Sequence, residues 1–178
     1  MCRRSGFTIR RDAARISRTN RKASGTPHIR AATPSDVAQI HALITPNIGR
    51  ARLLARDVAD ITATLPWWFV AEHNGTIIGC GALVRLSPAL VELRSLVVHP
   101  DYRGAGIGTQ LVTHLIGRAH EIGTQRILAL TCAVPSFTRQ GFAIAEKAAF
   151  PEKVSRDCMP CPLRDHCPEI AVVLEVGL

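Results

Sequence analysis

Glu92 to Gly108 reads ELRSLVVHPDYRGAGIG. A β-branched apolar run (Leu96, Val97, Val98) stops at His99-Pro100-Asp101. Arg103-Gly104-Ala105-Gly106-Ile107-Gly108 follows, and beyond it Leu111, Val112, Leu115, Ile116 and Ala119 recur at helical spacing. The stretch is a strand, a glycine loop and a helix. Such a junction aims unpaired backbone N–H groups and the positive end of a helix dipole at one point, where a phosphate or pyrophosphate fits. Gly104, Gly106 and Gly108 remove the Cβ atoms that would keep the ligand away.

Two common glycine patterns do not apply. A dinucleotide fingerprint needs G-x-G-x-x-G, and here the third glycine falls one residue early; a P-loop needs a Lys after its last glycine, and none follows. A plain glycine turn in some other α/β domain stays open. What remains, Arg-x-x-Gly-x-Gly after Val-Val-His-Pro, resembles the acetyl-CoA signature of the GNAT superfamily of N-acetyltransferases. Arg126 to Thr131 (RILALT) reads as a buried strand, followed by Val134-Pro-Ser-Phe-Thr-Arg-Gln-Gly-Phe142. In that family a short helix here ends in Gly-Phe and packs on the lower arm of the coenzyme. Gly141 suits the left-handed residue just past a helix end. The resemblance covers about residues 28 to 150. It implies an α/β (α+β) fold with a mixed, mostly antiparallel central sheet flanked by helices, with splayed central strands, and acetyl-CoA as co-substrate.

The 178 residues, 47% hydrophobic, suffice for one domain with its own core. No run of about 18 apolar residues and no apolar leader is visible, so a cytoplasmic protein without a membrane partner is expected. The net charge of +8 is concentrated in residues 1–27, which hold eight basic residues (Arg3, Arg4, Arg10, Arg11, Arg15, Arg18, Arg21, Lys22) against Asp12. The rest of the chain is near neutral, so nucleic acid is not the expected partner. Residues 1–27 read as a disordered basic tail, with polyanion binding or an organellar address as alternatives. Residues 28–178 form the domain.

Thr33-Pro34-Ser35-Asp36 starts a helix with Val37, Ile40, Leu43 and Ile44 on its buried face. Leu53, Leu54, Val58 and Ile61 suggest a second helix. Trp67–Glu72 and Thr76–Leu86 form a hairpin across Asn74-Gly75. Val91–Val98 is the central strand, and Ile170–Val176 is the last.

Acetyl transfer to an amine needs a held thioester, a neutral amine, a polarised carbonyl and a proton for the leaving thiolate. Even an α-amine has a pKa of about 8, so a base must take its proton. The resemblance makes Glu92 that base. Strict alternation puts Glu92, Arg94, Leu96 and Val98 on one strand face, and a structural Glu92–Arg94 ion pair is the competing reading. By the same carry-over the Leu96 N–H meets the acetyl carbonyl, Val97 and Val98 belong to the pantetheine site, and the amides of Arg103, Gly104, Ala105, Gly106, Ile107 and Gly108 take the pyrophosphate. Many GNAT enzymes protonate the thiolate with a Tyr where this chain has Phe137, a coenzyme contact here. No general acid is assigned.

The runs Glu92–Pro100, Ile78-Gly-Cys-Gly-Ala-Leu83 and Lys153-Val-Ser-Arg-Asp-Cys-Met-Pro-Cys look like the stand-alone amino-acid N-acetyltransferases of arginine biosynthesis, short N-acetylglutamate synthases. That family also tends to carry Phe at this position. The implied acceptor is L-glutamate, whose carboxylates call for arginine forks. Arg94 and Arg56 are the candidates, while Arg50 and Arg52 read as surface charges. Another amino acid, a protein N-terminus, or a non-catalytic acyl-CoA sensor with a nucleic-acid-binding tail remain alternatives. A homodimer is compatible with the fold.

Cys158, Cys161 and Cys167 form C-x₂-C-x₅-C inside the segment 151–169. A zinc site with His166 is one reading, hampered by the adjacency of His166 and Cys167. Reduced structural or redox-responsive thiols are the other. The segment's place before the last strand suggests a lid on the acceptor site.

Overall fold

The structure, a computed structural model, describes residues 26–48 and 55–176. Arg50, Arg52, Leu53, Leu54 and most of the basic tail lie outside the described residues. One sheet holds β1 (His28–Ala31), β2 (Trp68–His73), β3 (Thr76–Ser87), β4 (Leu90–Val98), β5 (Arg126–Thr131), β6 (Ala143–Ala145) and β7 (Ile170–Glu175), in the order β1-β2-β3-β4-β5-β7-β6. Among the described residues only the β4–β5 pairing is parallel, and the α-helices of more than one turn are α1 (Val37–Ile44), α2 (Val58–Ala63), α3 (Ile107–Glu121) and α4 (Val134–Thr138). No described helix is long and apolar enough to cross a membrane. The expected fold class is the one observed. β6 was not anticipated, because three residues are too few to show a period.

Alternation along β2 explains the layers. Trp68 and Val70 join Ile40, Ile44 and Ile61 on the α1–α2 face. Phe69 joins Leu83, Leu115 and Val112 on the α3 face. Each fully buried aliphatic side chain stabilises by about 1.5–3 kcal/mol. Gly79 and Gly81 admit α3 close to the sheet: a Cβ on Gly79 would lie 3.1 Å from Leu111 Cδ1, and one on Gly81 2.9 Å from Leu115 Cδ1. Cys80 points the other way, fully buried, its thiol pushed up to about 12 by desolvation, so it acts as an apolar filler.

The entry to α1 is pinned by charge. Asp36 accepts from the Thr33 N–H (2.7 Å) and hydroxyl (2.8 Å) and from both Arg30 guanidinium nitrogens (2.6 and 2.9 Å). These contacts, Arg30 first, hold the Asp36 carboxyl well below the usual carboxylate range. The hairpin turns at Asn74 (φ 51°) and Gly75 (φ 74°), the left-handed pair a tight two-residue turn requires.

One irregularity shapes the site. Ala82 pairs with Arg94 and Cys80 with Val97, so Gly81 alone faces Ser95 and Leu96. Ser95 sits at φ 55°. This is a β-bulge, one extra residue that breaks alternation. It overturns the expectation of one shared face. Leu96 and Val98 pack with Leu111 on the α3 side, whereas Glu92 and Arg94 line a cavity with Arg56.

Candidate active site

β4 and β5 pair only from Leu90↔Arg126 to Glu92↔Leu128. Beyond Glu92 the described strands part, because β4 bulges while β5 stays in register with β7 along its whole length. Two cavities flank this fork. The first, about 370 Å³, is lined by Leu96, Val98, Tyr102, Arg103, Gly104, Gly106, Gly108, Phe137 and the α4 end. The second, about 390 Å³, is lined by Arg56, Glu92, Arg94, Ser95, Leu96, Thr131, Cys132, Phe137, Lys153 and Glu169. They meet at Leu96, Ala133 and Phe137.

The first cavity is built as an anion cradle. Gly104 and Gly106 have φ of 84° and 80°, and a Cβ on either would meet no protein atom within 4 Å. Gly106 caps α3, and the first intrahelical bond is Gln110 N–H to Gly106 O. The N–H groups of Ile107, Gly108 and Thr109 therefore have no intrahelical acceptor and make up the positive end of the α3 dipole. Arg103 differs from the expectation: its N–H bonds Pro100 O at 3.3 Å, closing the turn Pro100–Tyr102. Its side chain reaches back to Val98 O (2.9 Å) and Asn47 Oδ1 (3.1 Å), so Arg103 braces the loop rather than presenting its amide. Val97 faces the α1 side and lines neither cavity. Phe137 is buried and packs edge-on against Phe142 at 5.1 Å. Gly141 holds φ 91° behind it, the left-handed helix end read from the sequence.

The second cavity gathers charge. Arg94 from β4 and Arg56 from the start of α2 both line it. Arg56 Nη1 lies 3.7 Å from Asp60 Oδ2. The buried Nε atoms of Arg56 and Arg94 find no acceptor among the described residues. Burial first, and the like charge of Arg56 second, pull the Arg94 guanidinium below its ordinary range. Two desolvated guanidinium groups side by side are a receptor for an anion.

Glu92 is 3% exposed, and its partners are not Arg94. Oε1 accepts from Lys153 Nζ at 2.6 Å and Oε2 from Arg156 Nη2 at 3.3 Å. Both cations come from the turns at 151–158, and Lys153 of that segment lines the second cavity. Lys153 was not singled out from the sequence. The signal was there in Lys153, Arg156 and Asp157, three charges within one turn after the apolar Phe150.

Cys158, Cys161 and Cys167 line a third cavity of about 100 Å³ with Lys147, Lys153 and Asp157. Lys147 Nζ donates to Cys167 Sγ at 3.2 Å. Burial pushes the Cys158 thiol up. Among the described residues no three His, Cys, Asp or Glu side chains, those of Cys158, Cys161 and Cys167 included, are grouped to hold a metal ion. Each of these cysteines stands as a free thiol.

The forked sheet with a glycine cradle at its mouth matches the acetyltransferase (GNAT) family over residues 37–145. The chain belongs to that family. An uncharacterized N-acetyltransferase of Chlorobaculum tepidum is 36% identical over 145 residues, covering 82% of this chain and 94% of that protein. The amino-acid acetyltransferase of Mycobacterium tuberculosis is 34% identical over 131 residues, covering 72% and 75%. Other amino-acid acetyltransferases are far longer: the chain spans 28% of the one from Shewanella oneidensis. N-acetylglutamate synthase from Neisseria gonorrhoeae, solved with coenzyme A and N-acetyl-glutamate, superposes with a TM-score of 0.75 at 27% identity over 87% of this chain and 36% of that one. This GNAT protein is an acetyl-CoA-dependent N-acetyltransferase, with acetyl-CoA as co-substrate.

Proposed function

We propose that this enzyme moves the acetyl group of acetyl-CoA to the α-amine of L-glutamate, the step that opens arginine biosynthesis. The observation that carries this reading is the Arg56–Arg94 pair: two guanidinium groups, desolvated in one cavity, with Nε donors unspent among the described residues. An acceptor with carboxylates satisfies them, whereas a polyamine or an aminoglycoside brings charge of the wrong sign.

The chemistry follows from the fork. The pyrophosphate of acetyl-CoA takes the N–H groups of Gly104 through Gly108, and the pantetheine arm runs beside Val98 toward Leu96. The bulge supports a role for the Leu96 N–H at the acetyl carbonyl, where negative charge develops in the transition state. The acceptor lies in the second cavity with its carboxylates on Arg56 and Arg94 and its amine toward Glu92. Glu92 takes the ammonium proton, directly or through one water. The neutral amine then attacks the thioester carbonyl, collapse of the tetrahedral intermediate breaks the C–S bond, and the extra proton left on the nitrogen passes through solvent to the departing thiolate. Phe137, at the junction of the cavities, excludes bulk water but offers no proton.

Free-thiol release with acetyl-CoA and a panel of twenty amino acids, two polyamines and an aminoglycoside tests the reading. Turnover with glutamate that is abolished in Arg94→Ala is the expected result. Turnover only with other amines, or with glutamate but indifferent to Arg94→Ala, overturns it.

A further inference from the structure

We infer that Lys153 is a positioning residue for the transfer, whose ammonium seats the Glu92 carboxylate at the lip of the acceptor cavity. This rests on the reading of Glu92 as the base. A lysine is almost never buried unless paired, and Lys153 is 6% exposed. Its three donors meet two carboxylates, Glu92 Oε1 at 2.6 Å and Asp157 Oδ2 at 2.9 Å.

Arg156 completes the frame. It contacts Glu92 Oε2 at 3.3 Å and grips Asp157 twice, Nε to Oδ1 at 3.1 Å and Nη2 to Oδ2 at 2.7 Å. Its Nη1 reaches Arg85 O on β3 at 3.3 Å. Each Glu92 oxygen is thus held by one cation, and Asp157 keeps both cations in place. Of the two, Lys153 is nearer and drier, with 7% side-chain exposure against 38% for Arg156. Arg94, Arg56 and Glu169 line the same cavity, but the ion pairs to Glu92 are those of Lys153 and Arg156.

The backbone explains why the lysine can reach. Val154–Cys158 is a wide π-type turn, closed by Met159 N–H to Val154 O at 2.9 Å, a geometry that recurs at functional sites. It follows Lys153 directly and sets Asp157 one turn beyond it. Lys153 also lines the cysteine cavity, so together with Leu130 and Glu169 its side chain is shared between that cavity and the proposed acceptor cavity.

A residue acting only through Glu92 has a kinetic signature. The test measures kcat, both KM values and Tm for Lys153→Met, Lys153→Arg, Glu92→Gln and Glu92→Gln/Lys153→Met, using whichever amino acid of the panel turns over fastest. Lys153→Met is expected to lower kcat by about 10²-fold, the low end of what a positioned base contributes, with the acetyl-CoA KM within about two-fold. Lys153→Arg recovers most of the loss. In the Glu92→Gln background the lysine substitution has no further effect on kcat. Losses that multiply in the double variant, or a Lys153→Met loss confined to KM, overturn the inference. Full kcat in Glu92→Gln instead refutes the base reading itself. If Lys153→Met does not fold, Asp157→Asn loosens the lysine without leaving Glu92 unpaired. It should lower kcat several-fold in the parent and not at all in Glu92→Gln; equal losses in both backgrounds again overturn the inference.

Discussion

Arg94 holds its charge on a half-buried strand beside a second arginine, with burial and Arg56 both working against ionisation. That arrangement costs stability and keeps affinity for an anion in reserve. Arg94→Met should therefore raise the resting stability by about 1 kcal/mol, as relief of a desolvated charge beside a like charge does, while acceptor affinity falls. Thermal melts with and without millimolar glutamate check this: the parent gains Tm from the ligand by mass action, and the variant does not. Acetyl-CoA should stabilise both equally, because Arg94 lines the cavity proposed for the acceptor and not the glycine-lined one proposed for the coenzyme.

At the scale of elements, the bulge in β4 stands on Ser95 at φ 55°. Left-handed backbone costs a non-glycine residue about 1–2 kcal/mol, and a β-branched side chain tolerates it least. Ser95→Gly should leave urea stability unchanged or slightly raised, and Ser95→Val should lose about 1–2 kcal/mol with most of its activity. On the neighbouring strand, Gly79→Ala should lower stability by about 1–3 kcal/mol through overpacking, since its Cβ would meet Leu111 Cδ1, Val97 O and Ala71 Cβ at 3.1–3.3 Å. The same strands show what a sequence discloses. The glycine cradle, the hairpin at Asn74-Gly75 and the left-handed Gly141 were legible, because each depends on a few adjacent residues. The bulge was not: two residues against one is a property of register between strands, and period-2 reading of β4 put Leu96 and Val98 on the wrong face. The Glu92 partners were hidden for a similar reason, lying 61 and 64 positions downstream.

Among the described residues, Asp36 and Asp157 are held well below the ordinary carboxylate range, and Glu72 is lowered beside Arg30. Arg30 is the main cause for Asp36, and the hydrogen bonds of Arg156 and Lys153 outweigh burial for Asp157. A depressed carboxyl contributes stability that is complete above the unfolded pKa of about 4 and is lost as pH falls through the folded value. Tm should therefore be flat toward neutral pH and fall steadily below about pH 4. Asp36→Asn should flatten that acid slope while lowering the plateau, as a pH series of melts would show. The extra residue in β4 has a further consequence for engineering. It puts Glu92 and Arg94 out of phase with Leu96 and Val98, so these two pairs of side chains answer to opposite layers of the protein while Val91 and Leu93 stay on the α3 side. On the proposed reading, exchanging Arg94 for the residue of a relative with a different acceptor preference should change the acceptor while leaving Leu96 and Val98 in place, provided the odd residue stays. Deleting it should turn one of those two pairs away from its cavity, so on that reading acceptor choice rests on a side chain whose direction is set by a single serine.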